Sequence, residues 1–335
     1  MTPKGEPPST AAPEASASSL PELLGQIDAI AEGAADTDTI PSGFQSLDRS
    51  IGGGFRRGDL AVLGGDVGSG KSAFALAMAL RAAERQSVAY FSAEMTPQRL
   101  MERVLAMEGR VRVDELRQGT LDEMARARVG AAAVRLRERL PRFGRVSSDS
   151  EHGLPEGWEE AGVPDLVVID SIQGIGAGRR DAAEEHAAAV RALKTLALDA
   201  GIAILATAQL PLLGVRTDRR PQLDDFGALG AVKHHADVVL ALYRESMYDS
   251  ARDVEGATEL LVRKNRHGNV GYVDLYFYAQ WMRFEDVDVS LLGHKRTRTP
   301  RTPVVAARKR LPSRDRRERS RPLPCTPTSA TWYQY

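Results

Sequence analysis

The chain has a single cysteine, no long apolar run and no net charge, and each shortage excludes a class of protein. Cys325 is the only cysteine among 335 residues, so an intramolecular disulfide is impossible and a cysteine-based zinc site is not expected. A reducing, cytoplasmic location follows as the default. The longest uncharged stretch, residues 200–215, is interrupted by Gln209 and Pro211 and is shorter than the ~20 apolar residues that a membrane span needs. No membrane segment and no signal peptide are expected.

The zero net charge conceals an asymmetry along the chain. The 45 Lys and Arg residues balance the 45 Asp and Glu residues, but residues 294–321 hold twelve basic and two acidic side chains. This segment has a net charge of +10, and the rest of the chain therefore has −10. The basic tail could add salt-sensitive, sequence-independent affinity for DNA, or it could be a dispensable terminus.

Composition divides the chain into four parts. Residues 1–19 and 291–335 are poor in large apolar side chains and are predicted to be disordered tails. Residues 20–39 begin with an amphipathic helix whose apolar stripe must be buried, either on its own domain or elsewhere. Its members are Leu20, Leu23, Leu24, Ile27 and Ile30.

Residues 40–290 alternate between short apolar runs and longer periodic segments, which predicts an α/β domain with a mostly parallel central sheet and helices on both faces. The apolar runs at 60–63, 88–91, 166–169 and 202–206 predict buried strands, and helices are predicted at 71–84, 96–109, 121–139 and 181–200. After residue 236 four strand-like segments follow one another without a helix. They predict antiparallel strands added at the C-terminal end of the sheet.

The strongest motif is a glycine-rich loop between the first predicted strand and the first predicted helix of this domain, which matches G-x-x-x-x-G-K-[ST]. Backbone N–H groups of such a loop surround phosphates, the lysine neutralises phosphate charge, and the hydroxyl reaches Mg²⁺. The sequence therefore predicts an ATP and Mg²⁺ site. The loop is formed by Gly65, Asp66, Val67, Gly68, Ser69, Gly70, Lys71 and Ser72.

Three polar residues follow predicted strands and are expected at the same edge of the sheet as the loop. Asp170 follows an apolar strand and is predicted to hold Mg²⁺ with Ser72, through water. Glu94 follows another and could activate the attacking water, or simply begin the next helix. Gln209 could contact the terminal phosphate, although a polar residue at a strand end is common.

The chain resembles the C-terminal ATPase domain of DnaB-type replicative helicases, within the RecA-like ATPase superfamily, over residues 20–285. The resemblance rests on an ordered set of segments rather than on any single motif. They are Pro-Ser-Gly-Phe-Gln-Ser-Leu-Asp at 41–48, the loop at 65–72, Phe-Ser-Ala-Glu-Met at 91–95, the strand at 166–170, and the segments at 206–210, 235–238 and 264–268.

The resemblance implies roles that the residues alone do not. Glu94 matches the catalytic glutamate of the family and Gln209 its phosphate-sensing glutamine. Lys264 and Arg266 match basic residues that act on the nucleotide of the neighbouring subunit, whereas without the family they would be read as a solvated strand edge. Residues 20–39 match a linker helix that docks on the adjacent subunit. Together these features imply a homohexameric ring that translocates 5′ to 3′ on single-stranded DNA.

The chain also departs from the family pattern. The N-terminal helical domain that engages primase is not represented in the ~40 residues before the core. Gly227 and Ala228 occupy the positions where family members usually present an Arg-Glu pair in the central-pore loop. The backbone at Gly227 and nearby arginines are the remaining candidates for DNA contact, although loop arginines are often plain solvated surface. These arginines are Arg179, Arg180, Arg216, Arg219 and Arg220.

Two hypotheses about function follow, with a weaker third. The first is a ring-forming, Mg²⁺-dependent ATPase that acts as a DNA helicase, with other replication or mobile-element proteins open as partners. The second is a non-translocating, DNA-associated ATPase switch or loader, consistent with the missing pore side chains. An ATPase of the RecA, RadA or KaiC type is disfavoured by the Ser-Ala-Glu-Met motif.

Overall fold

The computed structural model describes residues 19–33, 38–176, 181–211, 216–248 and 255–287. The predictions made for the two tails, including the basic segment, lie outside these residues. So do those for Arg179 and Arg180.

Helices occupy the five predicted helical segments and several shorter ones. The described part contains α1 (Leu20–Ala31), α2 (Gln45–Ile51), α3 (Lys71–Ala82), α4 (Pro97–Gly109), α5 (Val113–Gln118), α6 (Glu123–Leu136), α7 (Ala182–Ala200) and α8 (Ala231–His235). Side-chain caps fix several starts: Thr96, Asp122 and Asp181 each accept a hydrogen bond from a backbone N–H in the first turn. No helix in these ranges is both long and apolar enough to cross a membrane.

Most of the described strands form one large sheet whose centre is parallel. The strands are β1 (Thr39–Ile40), β2 (Phe55–Arg56), β3 (Leu60–Gly65), β4 (Val88–Ser92), β5 (Arg142–Arg145), β6 (Leu166–Asp170), β7 (Ala203–Gln209), β8 (Val238–Tyr243), β9 (Ala257–Asn265), β10 (Gly271–Tyr278) and β11 (Arg283–Asp286). The large sheet has the order β11-β10-β9-β8-β3-β7-β6-β4-β5, while β1 and β2 form a separate pair. The predicted α/β class with antiparallel strands at the C-terminal end is confirmed.

Helices cover both faces of the sheet, so its central strands are buried throughout. On one face, α3 buries nine of its twelve residues against β3, β6 and β7. On the other, α7 packs through Val190 and Leu193. Phe74 on α3 is 0% exposed, and full burial of such a side chain contributes about 1.5–3 kcal/mol. This packing fixes the position of the loop between β3 and α3.

One detail of the sheet prediction was wrong. The segment after residue 236 was expected to be antiparallel, but β8 pairs in parallel with β3, and antiparallel pairing begins only between β8 and β9. The intervening α8 reverses the chain direction after β7, so that β8 enters the sheet from the same end as β3. This helix has only five residues, too few to leave a clear periodic pattern.

Candidate nucleotide-binding site

The glycine-rich loop lies between the end of β3 and the first turn of α3. Gly68 and Gly70 have φ values of 77° and 99°, in the left-handed region that favours glycine. A Cβ atom at Gly70 would also lie 2.9 Å from the Phe284 ring, so glycine is required there for packing as well. The loop directs backbone N–H groups and the positive end of the α3 dipole into the space above it, which is the arrangement that binds phosphate.

The Lys71 side chain is folded over this loop. Its ammonium group donates hydrogen bonds to the carbonyl oxygens of Gly65 and Asp66, both at 2.9 Å. Burial lowers the pKa of Lys71, and the nearby carboxylates of Asp170, Asp66 and Glu94 oppose that shift. A phosphate group would add a strong anionic partner for this partly desolvated cation.

Asp170 ends β6 beside the loop and is 2% exposed. Its carboxylate accepts three hydroxyl hydrogen bonds. Ser72 Oγ and Thr207 Oγ1 donate to Oδ1 at 3.1 and 2.6 Å, and the Tyr90 hydroxyl donates to Oδ2 at 2.9 Å. The structure therefore brings together the two residues predicted to hold the metal, Ser72 and Asp170.

Glu94 and Gln209 line the same cavity as Lys71, Ser72 and Asp170. This cavity has a volume of about 270 Å³. Glu94 is exposed and lies two residues beyond β4, while Gln209 is the last residue of β7. Four strands thus deliver polar side chains to one edge of the sheet, as their parallel order requires.

Lys264 and Arg266 lie at the opposite edge of the sheet. On β8, Leu242 pairs with Gly65 and Val239 pairs with Lys264. The levels of Gly65 and Lys264 are therefore three residues apart, or about 10 Å along the strand direction. Lys264 Nζ donates to the carbonyl oxygens of Lys233 and Ala236, at 2.8 and 2.5 Å. Neither basic residue lines the cavity of its own chain.

A buried carboxylate anchors Arg266. Asp237 is 2% exposed, lies 3.0 Å from Arg266 Nε and 2.7 Å from Lys194 Nζ, and accepts a hydrogen bond from the backbone of Leu60. Half of the Arg266 side chain remains exposed, at 52%. Burial, and then the charge of Arg266, lower the pKa of Lys264.

Of the arginines predicted to contact DNA, the three that lie in the described ranges are engaged within the chain. Arg216 pairs with Asp225 at 2.5 Å and Arg220 with Glu259 at 2.6 Å. Arg219 donates to the carbonyl oxygen of Tyr248 and lies 5.3 Å from the centre of its ring.

The candidate pore loop has an unusual backbone. The four residues from Gly227 to Gly230 all have positive φ, at 58°, 48°, 51° and 79°, although two of them, Ala228 and Leu229, are not glycine. Leu229 is 71% exposed at the tip of this turn, whereas Phe226 beside it is buried against Gly64 of β3. Phe226 thus anchors the candidate pore loop against β3, next to the start of the phosphate-binding loop.

Sequence reasoning missed several residues at this site. Tyr90 lies inside the apolar run at 88–91, which predicts only a buried strand, and Thr207 lies just after the apolar run at 202–206. Arg103 of α4 lines the cavity with no motif to mark it. Gln173 exchanges hydrogen bonds with the backbone of Gln209 at 3.2 and 3.3 Å. The alternation of side chains along a strand gives one signal for Thr207. It lies two residues before Gln209, and therefore on the same face of the sheet as Gln209 and Asp170.

The donor set fits a magnesium nucleotide. Mg²⁺ prefers oxygen ligands and is bound by one or two protein oxygens together with waters and phosphates. Ser72 and Asp170 provide a hydroxyl and a carboxylate 3.1 Å apart, next to the Lys71 ammonium. In the described ranges no cluster of three or more His, Cys, Asp or Glu side chains could hold a metal alone, and a site completed by phosphate does not require one.

The profile of the family described as DnaB-like helicase C terminal domain matches residues 39–286, which include the whole cavity and both sheet edges. The chain belongs to this family. Among DnaB-like relatives, the replicative DNA helicase DnaB of Geobacillus stearothermophilus is 32% identical over 261 residues, which cover 74% of this chain and 57% of that protein. The replicative DNA helicase DnaC of Bacillus subtilis strain 168 is 30% identical over 275 residues, covering 76% and 58%.

A solved structure of a DnaB-like replicative helicase, described together with its interactions with primase, has the same fold as this DnaB-like chain, with a TM-score of 0.71 and 22% identity. The match covers 79% of this chain and 66% of that one. The chain spans under two thirds of the length of the curated relatives it matches. The similarity to the family covers the sheet, the phosphate-binding loop, and strand β9 with the residues after it, which include Lys264 and Arg266.

Proposed function

We propose that this chain is the ATPase motor of a ring-forming DnaB-like helicase, which couples Mg²⁺-dependent ATP hydrolysis to movement on single-stranded DNA. The observation that carries the proposal is the division of the site between two edges of one sheet. Lys71, Ser72, Glu94 and Asp170 share a cavity at one edge. Lys264 and Arg266 lie at the other, outside the cavity of their own chain, which supports a role at the nucleotide of a neighbouring subunit.

Each residue of the cavity has a role that suits its position. The loop amides and Lys71 bind phosphates, and Ser72 with Asp170 would hold Mg²⁺, which supplies neutralisation of phosphate charge. Glu94, an exposed residue that lines the cavity, orients and deprotonates the attacking water. Gln209 contacts the terminal phosphate, and its backbone link to Gln173 connects it with the segment after Asp170.

Lys264 and Arg266 act in trans. Stabilising the charge that develops on the transferred phosphoryl group requires a cation supplied from outside the phosphate-binding loop. Asp237 orients the guanidinium of Arg266 through Nε, and the exposed remainder of the side chain is available to a neighbouring subunit. Each ATP site therefore belongs to two chains, and a closed ring of six gives every site a partner.

The apolar stripe of α1 supports assembly. Leu20, Leu24 and Ile27 are 70%, 53% and 52% exposed, although such side chains are normally buried. We assign them to contact with the adjacent subunit. This role agrees with the position of α1 before the ATPase core.

DNA contact would use the loops that follow β7. Arg216, Arg219 and Arg220 are partnered within the chain, so binding through them requires an exchange of Asp225, Tyr248 and Glu259 for phosphate oxygens. The amides of the turn at Gly227 need no such exchange. We therefore expect the backbone of this turn to contribute more than the arginines.

The decisive experiment measures ATP hydrolysis with and without single-stranded DNA, and then displacement of an annealed strand. Stimulation of hydrolysis together with displacement supports the motor. Stimulation without displacement supports the switch or loader, while hydrolysis that DNA does not affect contradicts both. A Glu94→Gln chain, which retains the loop and the metal residues, is the control for contaminating ATPases.

A further inference from the structure

Two buried hydroxyl groups surround the carboxylate of Asp170 in addition to that of Ser72. Tyr90 and Thr207 are both 0% exposed and lie on β4 and β7, the strands on either side of β6. Their hydroxyl groups donate to opposite oxygens of the carboxylate, Tyr90 to Oδ2 at 2.9 Å and Thr207 to Oδ1 at 2.6 Å. The carboxylate is therefore held by donors from both neighbouring strands.

The register of the strands explains why these side chains meet. Tyr90 pairs with Val168, two residues before Asp170, and Ile169 pairs with Ala206, next to Thr207. Since side chains alternate along a strand, Tyr90, Asp170 and Thr207 all lie on the face covered by α3. That face also brings Ser72, from the first turn of α3, to Oδ1.

The two hydroxyl groups limit what Asp170 can do. A carboxylate has about four lone-pair positions, and three hydroxyl donors occupy three of them. The carboxylate cannot rotate without leaving a buried hydroxyl unpaired, which is unfavourable.

We propose that Tyr90 and Thr207 are positioning residues that hold the Asp170 carboxylate in the orientation needed for Mg²⁺, so that they set the affinity of the nucleotide-bound site for this ion. The inference rests on the proposed function, because it takes Ser72 and Asp170 as the metal side of the ATP site. Groups that orient a metal ligand commonly change metal affinity by about 10–100-fold when they are removed.

The test titrates MgCl₂ into the full chain with a fixed concentration of a fluorescent, hydrolysis-resistant ATP analogue. Tyr90→Phe and Thr207→Val each remove one hydroxyl with little change in shape. We expect each to raise the Mg²⁺ concentration for half-maximal binding by about tenfold. Mg²⁺-independent binding of the analogue is expected to stay unchanged. Electron paramagnetic resonance of Mn²⁺, which reports free metal directly, gives a second measure of metal affinity.

Two further variants separate positioning from packing. Thr207→Ser keeps the hydroxyl and is expected to stay within about twofold of the wild type. If Thr207→Val does not fold, Tyr90→Phe still tests the proposal. Thr258→Val removes another buried threonine hydroxyl, which lies on β9, donates to the Gly256 carbonyl and is absent from the cavity, and it is expected to leave Mg²⁺ dependence unchanged.

The outcomes distinguish this inference from the proposed function. If Tyr90→Phe and Thr207→Val both keep the Mg²⁺ dependence of the wild type and only lower the melting temperature, the positioning role is overturned. The proposed function is unaffected by that result. A wild-type chain whose nucleotide binding ignores Mg²⁺ contradicts the proposed metal site, and the positioning role with it.

Discussion

At one edge of the central sheet the charged groups converge on a cavity, whereas at the other edge a buried acid holds an arginine whose side chain is half exposed. Asp170 accepts three hydroxyl hydrogen bonds, and Lys71 is folded onto its own loop. At the opposite edge Asp237 holds Lys194 on its inner side and Arg266 on its outer side. We expect the first arrangement to bind a ligand within one chain and the second to present a cation to a neighbouring chain.

Removing the lysine of the cavity is expected to have the largest effect. Lys71→Ala deletes the cation over the phosphates, and loss of a buried charge partner costs about 3 kcal/mol or more, which is roughly a hundredfold in affinity. Hydrolysis falls to background, as a phosphate-release assay would measure. Lys264→Ala is the matched control from the opposite edge, and its nucleotide affinity stays at the wild-type level. Equal affinity in Lys71→Ala and the wild type would show that the cavity is wrongly assigned.

Removing the outward arginine is expected to separate turnover from binding. Arg266→Ala lowers turnover by about 10³-fold, the effect typical of a cation supplied in trans, while the isolated subunit binds nucleotide normally. Mixing this chain with Lys71→Ala in equal amounts tests the division directly. Random assembly pairs an intact loop with an intact arginine at about a quarter of the sites, so activity reappears. A mixture as inactive as its components would contradict action in trans.

We expect Asp237, the buried partner of Arg266, to contribute more to the free energy of unfolding than Arg266 does. Asp237→Ala leaves Lys194, whose side chain is 17% exposed, without its partner, and we expect a loss of about 3–5 kcal/mol in the free energy of unfolding. Arg266→Ala removes a half-exposed ion pair and costs less than about 1 kcal/mol. Urea denaturation of both variants measures the difference. Similar losses in the two would mean that Arg266 is chiefly structural.

The smallest effect on stability is expected in α1. Ile27→Glu changes an exposed side chain and alters the free energy of unfolding by less than about 0.5 kcal/mol. Sedimentation velocity is expected to show that the same change abolishes assembly, whereas Asp28→Asn on the same helix assembles normally. Unfolding at a lower urea concentration in Ile27→Glu would indicate that the stripe packs on its own chain.

The sequence predicted the cavity edge better than the opposite edge. A glycine-rich loop after a strand is a local pattern, and Asp170, Glu94 and Gln209 each follow a strand, so parallel order alone brings them together. The place of Lys264 depends instead on which strands pair and in what register. Such pairing is non-local and leaves no mark in the residues near Lys264.

Other misses have similar physical causes. Strand β5 has one large apolar residue, Phe143, among two arginines and a glycine, and it was not predicted because an edge strand needs little apolar surface. Tyr90 was read as part of an apolar run, since nothing in the sequence shows that its hydroxyl meets a carboxylate across the sheet. The predictions for the catalytic, trans-acting and DNA-contacting roles await the assays above.

The distance between Lys264 and its own phosphate-binding loop has a consequence for dilute protein. We expect a chain whose proposed trans-acting cations lie away from its own nucleotide to hydrolyse little ATP when alone, and hydrolysis per subunit to rise with total protein concentration as subunits associate. In an open assembly, the site at one end would lack this cation and would bind ATP without hydrolysing it. Closure of the proposed ring would complete that site, so we expect the full rate of hydrolysis only from closed rings.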